Sequence, residues 1–220
     1  MDKYNVYQDM SRRTGGEIYL GIVGPVRTGK STFIKRFMEL VVIPEMADDN
    51  EKVRTIDELP QSADGKMIMT TEPKFIPKEA AVIHFSNQET GKIRLIDCVG
   101  YLVPEAVGAI EEEKERMVKT PWSEEEIPFS KAAEIGTSKV IREHSNLGLI
   151  ITTDGSFGDI PAVNFEEALQ KTVMECEKAG KPFLILVNTS RPDSQETIQF
   201  TKRLEAQYGK TVMAVNCKTM

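Results

Sequence analysis

Near the start of the chain, several residues have the types and spacing of a phosphate-binding loop. Gly24, Gly29, Lys30 and Ser31 fit the pattern G-x-x-x-x-G-K-[ST], between an apolar stretch and a stretch with helical periodicity. The glycines allow backbone N–H groups to turn towards phosphate oxygens, and the start of a helix adds partial positive charge. Lys30 would reach the β- and γ-phosphates, and the Ser31 hydroxyl would ligate Mg²⁺. The predicted nucleotide-binding residues of this stretch are Gly24, Pro25, Val26, Arg27, Thr28, Gly29, Lys30, Ser31 and Thr32.

A D-x-x-G segment follows a later apolar stretch. We expect it to lie opposite the phosphate loop in the same nucleotide site. It begins at Asp97 and ends at Gly100. An aspartate at the end of a buried strand can hold Mg²⁺ through water, and Gly100 would give its N–H to the γ-phosphate. The alternative is a simple turn, since D-x-x-G is a common string. Its position downstream of a phosphate loop favours the magnesium role.

Two adjacent threonines, Thr70 and Thr71, lie in the polar stretch between these two motifs. One of their hydroxyls could complete the Mg²⁺ shell and sense the γ-phosphate, which would order the loop. The alternative is a threonine pair at a strand edge, and the sequence does not say which of the two would act. The predicted catalytic residues are Arg27, Lys30, Thr70, Thr71 and Asp97, and the predicted metal ligands are Ser31, Thr71 and Asp97.

The elements that would position these residues alternate between short apolar strands and amphipathic helices, as in an α/β sheet covered on both faces. The predicted strands are 17–23, 80–85, 92–97, 148–153, 182–187 and 211–215, and the predicted helices include 32–42, 130–144 and 194–208. Polar stretches at 45–71 and 100–128 are predicted to be long connections. We expect a P-loop NTPase with a doubly wound, mostly parallel sheet of about six strands, one of them an antiparallel hairpin strand.

The order of phosphate loop, loop threonine and D-x-x-G resembles the translation-factor-related GTPase class. In that class a later Asn-Lys-x-Asp element follows a strand, and its aspartate reads guanine. Here Asn188 is present, but Thr189 replaces the lysine and Arg191 replaces the aspartate. We therefore predict that Asn188 binds nucleotide. The resemblance also implies that the sheet has a GTPase-like topology. A site that loses its buried hydrogen-bond acceptor loses a discrimination of about 10⁴–10⁵, so the departure favours ATP over GTP.

A second departure concerns the water that attacks the γ-phosphate. Ras-like members carry a glutamine directly after D-x-x-G, whereas this chain has Tyr101. The string from Arg27 to Ser31 resembles the phosphate loop of guanylate-binding proteins, in which the arginine acts as an internal finger. This resemblance implies that Arg27 stabilises the developing charge. The alternative is an arginine that only faces solvent.

Longer strings, among them 17–24, 59–63, 69–75, 97–101 and 151–155, resemble a family of spore coat morphogenetic ATPases from spore-forming bacteria. The resemblance implies Mg²⁺-dependent ATP hydrolysis that drives conformational change and self-assembly into the basement layer of the coat. It also implies a mother-cell location at the forespore surface, with a small amphipathic membrane-anchor peptide and other coat proteins as partners. Two alternatives stay open, a GTPase similar to guanylate-binding proteins and a structural protein that binds nucleotide without turnover.

Length and charge limit the remaining possibilities. The 220 residues suit one domain, with 1–16 as a helical lead-in and 17–220 as the ATPase domain of a longer multidomain protein. A net charge of −6 argues against nucleic acid or a bare anionic bilayer as the main partner. We expect no secretory signal and no membrane span. Three scattered cysteines favour a reduced, cytoplasmic compartment without disulfides.

Overall fold

A computed structural model describes residues 16–60, 72–84, 90–106, 110–111 and 114–220. The predicted lead-in at 1–16 lies outside these residues except for Gly16, and so do Thr70 and Thr71. The principal strands are β1 (Glu17–Val23), β2 (Lys74–His84), β3 (Thr90–Asp97), β8 (Leu147–Thr153), β9 (Phe183–Asn188) and β10 (Val212–Val215), and the short strands are β4 (Ile110–Glu111), β5 (Lys114–Glu115), β6 (Met117–Thr120) and β7 (Ser123–Pro128). The helices are α1 (Lys30–Phe37), α2 (Asp49–Glu58), α3 (Phe129–Lys139), α4 (Glu166–Lys178) and α5 (Gln195–Tyr208).

The six principal strands form one sheet in the order β10-β9-β8-β1-β3-β2. All neighbouring strands are parallel except β2 and β3, which are antiparallel. In the register, Ile22 lies opposite Asp97 on one side of β1, and Val23 lies opposite Ile150 on the other. This arrangement confirms the predicted doubly wound, mostly parallel sheet with one antiparallel hairpin strand.

Helices cover both faces of the sheet because its central strands carry apolar side chains on both sides. On one face, Phe33 and Met38 pack with Ile22 and Leu95 in one buried cluster. A second cluster on the other face contains Val140, Leu169 and Leu204 together with Val23 and Ile150. Two of the helices are extended by a wider π-helical turn, Met38–Val42 after α1 and Val140–His144 after α3.

Two polar stretches predicted to be connections contain regular structure. Helix α2 lies inside 45–71, and the antiparallel pair β6 and β7 lies inside 100–128. Helix α2 buries only Thr55, so its sequence lacks the apolar stripe that identifies most helices. It begins because the Asp48 carboxylate accepts hydrogen bonds from the N–H groups of Asn50 and Glu51.

The fold gathers the ends of several strands at one edge. Because β1, β3, β8 and β9 run in the same direction, the segments after Val23, Asp97, Thr153 and Asn188 meet where these strands end. Crevices outside the carboxyl ends of parallel strands are where open α/β sheets bind ligands. All three cysteines are free and buried. Within the described ranges, no helix combines the length and apolar character needed to cross a membrane.

Candidate nucleotide site

The turn from β1 into α1, here called the phosphate loop (Gly24–Ser31), has the backbone shape that its glycines allow. Gly24 and Gly29 adopt φ values of 130° and 91°, a region that other residues rarely enter. A Cβ atom at Gly24 would lie 2.4 Å from the Ile151 carbonyl oxygen, and one at Gly29 would lie 2.4 Å from Asn188 Nδ2. Side chains at these two positions would therefore push the loop away from β8 and β9.

Lys30 is held inside the loop rather than in solvent. Its side chain is 5% exposed, and Nζ donates a hydrogen bond of 2.6 Å to the Pro25 carbonyl oxygen. Burial lowers the pKa of Lys30, while the nearby Cys98 and Asp97 act in the opposite direction. In the described structure the buried Lys30 ammonium has a single carbonyl acceptor, so a bound anion such as a phosphate would stabilise it.

Ser31 and Asp97 form the second part of the site. The Ser31 hydroxyl donates a hydrogen bond of 2.7 Å to Asp97 Oδ2. Asp97 Oδ1 is buried and, among the described residues, has no hydrogen-bond partner. Burial raises the pKa of Asp97, and the bond from Ser31 and the charge of Lys30 oppose that rise. A hydroxyl beside a carboxylate with an unused buried oxygen fits Mg²⁺, which prefers oxygen ligands and keeps several waters.

Gly100 closes the site from the side of β3. Its φ is 95°, and a Cβ there would lie 2.1 Å from the Gly24 carbonyl oxygen and 2.7 Å from Lys30 Nζ. The amide of Gly100 donates to the Thr137 hydroxyl on α3 at 3.2 Å. Cys98 is buried beside this turn, and burial raises the pKa of its thiol to about 11, so the thiol is neutral near pH 7.

Tyr101 follows Gly100 and is only 3% exposed. Its N–H donates to the Gly24 carbonyl oxygen at 3.3 Å, and its own carbonyl accepts from Val26 N–H at 2.9 Å. The phenol donates to Glu175 on α4, which also accepts from Ser138 Oγ at 2.6 Å. The side chain that replaces the water-orienting glutamine therefore ties the D-x-x-G turn to α3 and α4.

Arg27 is exposed, and its φ of 61° is unusual for a residue other than glycine. Its neighbour Thr28 is buried and donates to the Pro25 carbonyl oxygen at 3.0 Å. Arg27 is therefore an exposed residue of the phosphate loop beside a buried one.

Asn188 supports the phosphate loop from β9. Its Nδ2 donates to the Thr28 carbonyl oxygen at 3.0 Å, and its Oδ1 accepts from the Cys217 amide at 3.1 Å. The side chain is 7% exposed. This geometry gives Asn188 the role of fixing the loop against the ends of β9 and β10.

The remaining positions of the base segment (Asn188–Arg191) are arranged differently from those of a guanine-reading site. Thr189 is fully buried, and its hydroxyl donates to Asp154 Oδ2 at 2.6 Å. The Arg191 amide donates to the same hydroxyl at 3.2 Å, and the Arg191 residue is exposed. An exposed cation therefore stands where the related class has its base-reading carboxylate.

The structure thus brings together the predicted residues of the phosphate loop with Asp97, Gly100 and Asn188, while Thr70 and Thr71 lie outside the described part of the chain. The sequence does not mark Thr137, Ser138 or Glu175 as residues of the site. Their contacts join residues 37 or 74 positions apart, so no local pattern marks them.

The sequence model of the family described as "Stage IV sporulation protein A, ATPase domain" matches residues 1–220. The chain belongs to this family. It is 51% identical over 220 residues to stage IV sporulation protein A of Bacillus subtilis (strain 168), covering 100% of this chain and 45% of that protein. Identity to the Bacillus anthracis protein is 50% over 220 residues, with 100% and 45% covered. Identity to the Clostridioides difficile (strain 630) protein is 47% over 216 residues, with 98% and 44% covered.

The chain spans less than half the length of these curated relatives of the stage IV sporulation protein A family. Among solved structures, a crystal structure of an SsGBP mutation variant covers 96% of this chain and 52% of its own, with 14% identity and a TM-score of 0.48. A likeness at that level is too weak to carry a conclusion. Membership of a family described by its ATPase domain confirms the expected resemblance to a sporulation ATPase.

Proposed function

We propose that this chain binds ATP with Mg²⁺ and hydrolyses it to ADP and phosphate. The observation that carries the proposal is the pair Ser31 and Asp97, with a hydrogen bond of 2.7 Å between them and a buried, unused Asp97 oxygen. Lys30 lies beside this pair, since Asp97 acts on its pKa. The family's description as an ATPase domain supports the same reading.

Each residue of the site then has a defined part. The backbone of the phosphate loop and Lys30 bind the phosphates, and Ser31 and Asp97 would hold Mg²⁺, the latter through water. When bound there, the metal would neutralise charge on the β- and γ-phosphate oxygens. Arg27, an exposed residue of the loop, stabilises charge that develops on the phosphates. A hydroxyl of Thr70 or Thr71 senses the γ-phosphate.

The base segment supports ATP rather than GTP as the substrate. In the guanine-reading class a carboxylate accepts hydrogen bonds from the base, and here Arg191 has no acceptor to offer. Thr189 is already committed to Asp154 and to the Arg191 amide. The segment therefore lacks the groups that would favour guanine.

Hydrolysis drives conformational change and self-assembly into the basement layer of the spore coat. We place this activity in the mother-cell cytoplasm at the forespore surface, with a small amphipathic membrane-anchor peptide and other coat morphogenetic proteins as partners. The relatives' name as sporulation proteins supports this role. The net charge of −6 supports contact with the membrane through a partner rather than through electrostatic attraction to anionic lipid.

One observation favours a second candidate, a structural protein that binds ATP without turnover. Tyr101 is buried and bonded to Glu175, so it does not position an attacking water. In that case the nucleotide would act as a fixed part of the fold.

Phosphate release from the purified chain, with ATP and GTP measured side by side, tests the proposal. We expect Mg²⁺-dependent release from ATP that exceeds release from GTP. Lys30→Ala should abolish it because the phosphate ligand is removed. Lys35→Ala is the matched control, since Lys35 is a partly exposed lysine on the same helix, 4.0 Å from Glu39.

ATP binding without release would favour the structural candidate. Faster release from GTP would favour a GTPase, and equal loss in both lysine variants would contradict the assigned role of Lys30.

A further inference from the structure

The amide of Gly100 is already hydrogen-bonded within the protein. It donates to Thr137 Oγ1 on α3 at 3.2 Å, and both residues are buried. The same glycine lies against the phosphate loop, because a Cβ on it would be 2.7 Å from Lys30 Nζ. The amide expected to donate to a γ-phosphate is therefore bonded to a helix.

The Thr137 hydroxyl can act towards Gly100 only as an acceptor. A threonine hydroxyl has one proton, and here that proton goes to the Ala133 carbonyl oxygen at 2.8 Å. The side chain is 0% exposed, so no solvent competes for its lone pairs. Its orientation is fixed by α3 itself.

We propose that Thr137 is a positioning residue that holds Gly100 away from the γ-phosphate and thereby sets how strongly the site distinguishes ATP from ADP. This inference rests on the proposed ATP binding. One N–H group cannot serve the Thr137 oxygen and a γ-phosphate oxygen with full strength at once. ATP must break the bond to Thr137, whereas ADP leaves it intact.

The next residue on α3 extends the effect of this bond. Ser138 donates to Glu175 at 2.6 Å, and the Tyr101 phenol donates to the same carboxylate. Arg142, further along the same chain segment, adds a bond of 3.0 Å from Nε. Two consecutive residues of α3 are thus bonded, directly or through Glu175, to the two consecutive residues Gly100 and Tyr101. Release of Gly100 from Thr137 would therefore alter the contacts of α3.

Three variants of the complete chain test this role. Thr137→Val keeps the shape and removes the acceptor, and Thr137→Ser restores a hydroxyl. Thr172→Val is the matched control: Thr172 is also 0% exposed and donates to the carbonyl oxygen four residues earlier, Ala168, at 2.7 Å. Affinities are measured by calorimetry for ADP and for a non-hydrolysable ATP analogue, both with Mg²⁺.

We expect Thr137→Val to increase the affinity for the ATP analogue about tenfold relative to the affinity for ADP. Without the Thr137 oxygen, the buried Gly100 amide has no acceptor when the γ-phosphate is absent, whereas it can still donate to the γ-phosphate when the analogue is bound. Thr137→Ser and Thr172→Val should keep the wild-type ratio of the two affinities. An equal change for both nucleotides in Thr137→Val, or the same ratio change in Thr172→Val, would overturn the proposal.

A measurement on the unaltered chain keeps the proposal testable if the valine variant does not fold. The amide resonance of Gly100 should be similar without nucleotide and with ADP, and should move when the ATP analogue binds. A resonance that the analogue leaves in place would contradict the proposal. If the unaltered chain binds neither nucleotide, the proposed function itself fails. If the unaltered chain binds both nucleotides and Thr137→Val leaves the ratio of the two affinities unchanged, only the role of Thr137 fails.

Discussion

The phosphate loop and the base segment lie at the same edge of the sheet and share Asn188, yet they are constrained in different ways. The loop binds through backbone shape, so Gly24 and Gly29 are needed for their φ values and for the close approach of Ile151 and Asn188. The base segment would act through side chains, and the Arg191 amide donates to the Thr189 hydroxyl, so the turn depends on the side chain at 189 but not on the one at 191. Ligand preference can therefore change at the exposed position 191 without disturbing the phosphate site.

After the loss of Lys30, the largest expected effect is also on the phosphate side, at Asp97. Asp97→Asn should lower Mg²⁺-dependent ATP hydrolysis about a hundredfold, as for other groups that hold a metal through water. Because Mg²⁺ needs the ionised carboxylate and burial raises the pKa of Asp97 when no metal is bound, the Mg²⁺ concentration needed for half-maximal release should rise, as pH decreases, at a higher pH than for an ordinary aspartate. Phosphate release measured against pH and Mg²⁺ concentration checks both points.

The same substitution should stabilise the nucleotide-free chain near pH 7. A carboxyl group whose pKa is raised by folding contributes stability below its unfolded pKa and loses that contribution as pH rises through the folded value. The neutral asparagine avoids this loss, so the unfolding temperature of Asp97→Asn should exceed that of the wild type. A lower unfolding temperature would mean that Asp97 serves the fold rather than the metal.

The next prediction concerns Arg27, which lies on the phosphate loop but acts through its side chain. Arg27→Ala should keep ATP affinity and slow hydrolysis at least about tenfold, because the guanidinium stabilises developing charge. Arg27→Gly is the control for backbone conformation, since glycine accepts the φ of 61° without strain. Single-turnover hydrolysis should fall equally in both variants. Unchanged turnover in both, or recovery in the glycine variant alone, would remove Arg27 from catalysis.

What the sequence could predict follows the same division. The strand Glu17–Val23 and the turn from it into a helix were predicted correctly because an apolar run, two glycines and a helical period adjoin one another. Helix α2 was missed because it buries only Thr55, and its one local signal was Asp48 at the start. The bond between Gly100 and Thr137 could not be predicted, because it depends on how α3 packs and not on any spacing along the chain.

The smallest effect is expected from a substitution in the base segment. It tests most directly the difference between the base segment and the phosphate loop. Arg191→Asp returns the carboxylate of the guanine-reading class to an exposed position, and the bond from the amide of residue 191 to the Thr189 hydroxyl does not involve the side chain at 191. We expect the ratio of GTP to ATP affinity to rise about two- to tenfold, the worth of one net hydrogen bond, and not by the much larger factor of a complete site. The rise stays small because Thr189, bonded to Asp154, still replaces the lysine.

Competition between GTP and a labelled ATP analogue measures this ratio, with Arg191→Ala as the control for loss of the cation. The alanine variant should keep the wild-type preference, and both variants should hydrolyse ATP at the wild-type rate because the phosphate loop is untouched. A loss of hydrolysis in Arg191→Asp would show that the two parts of the site are coupled. A preference for ATP that the aspartate leaves unchanged would show that base choice is made elsewhere in the chain.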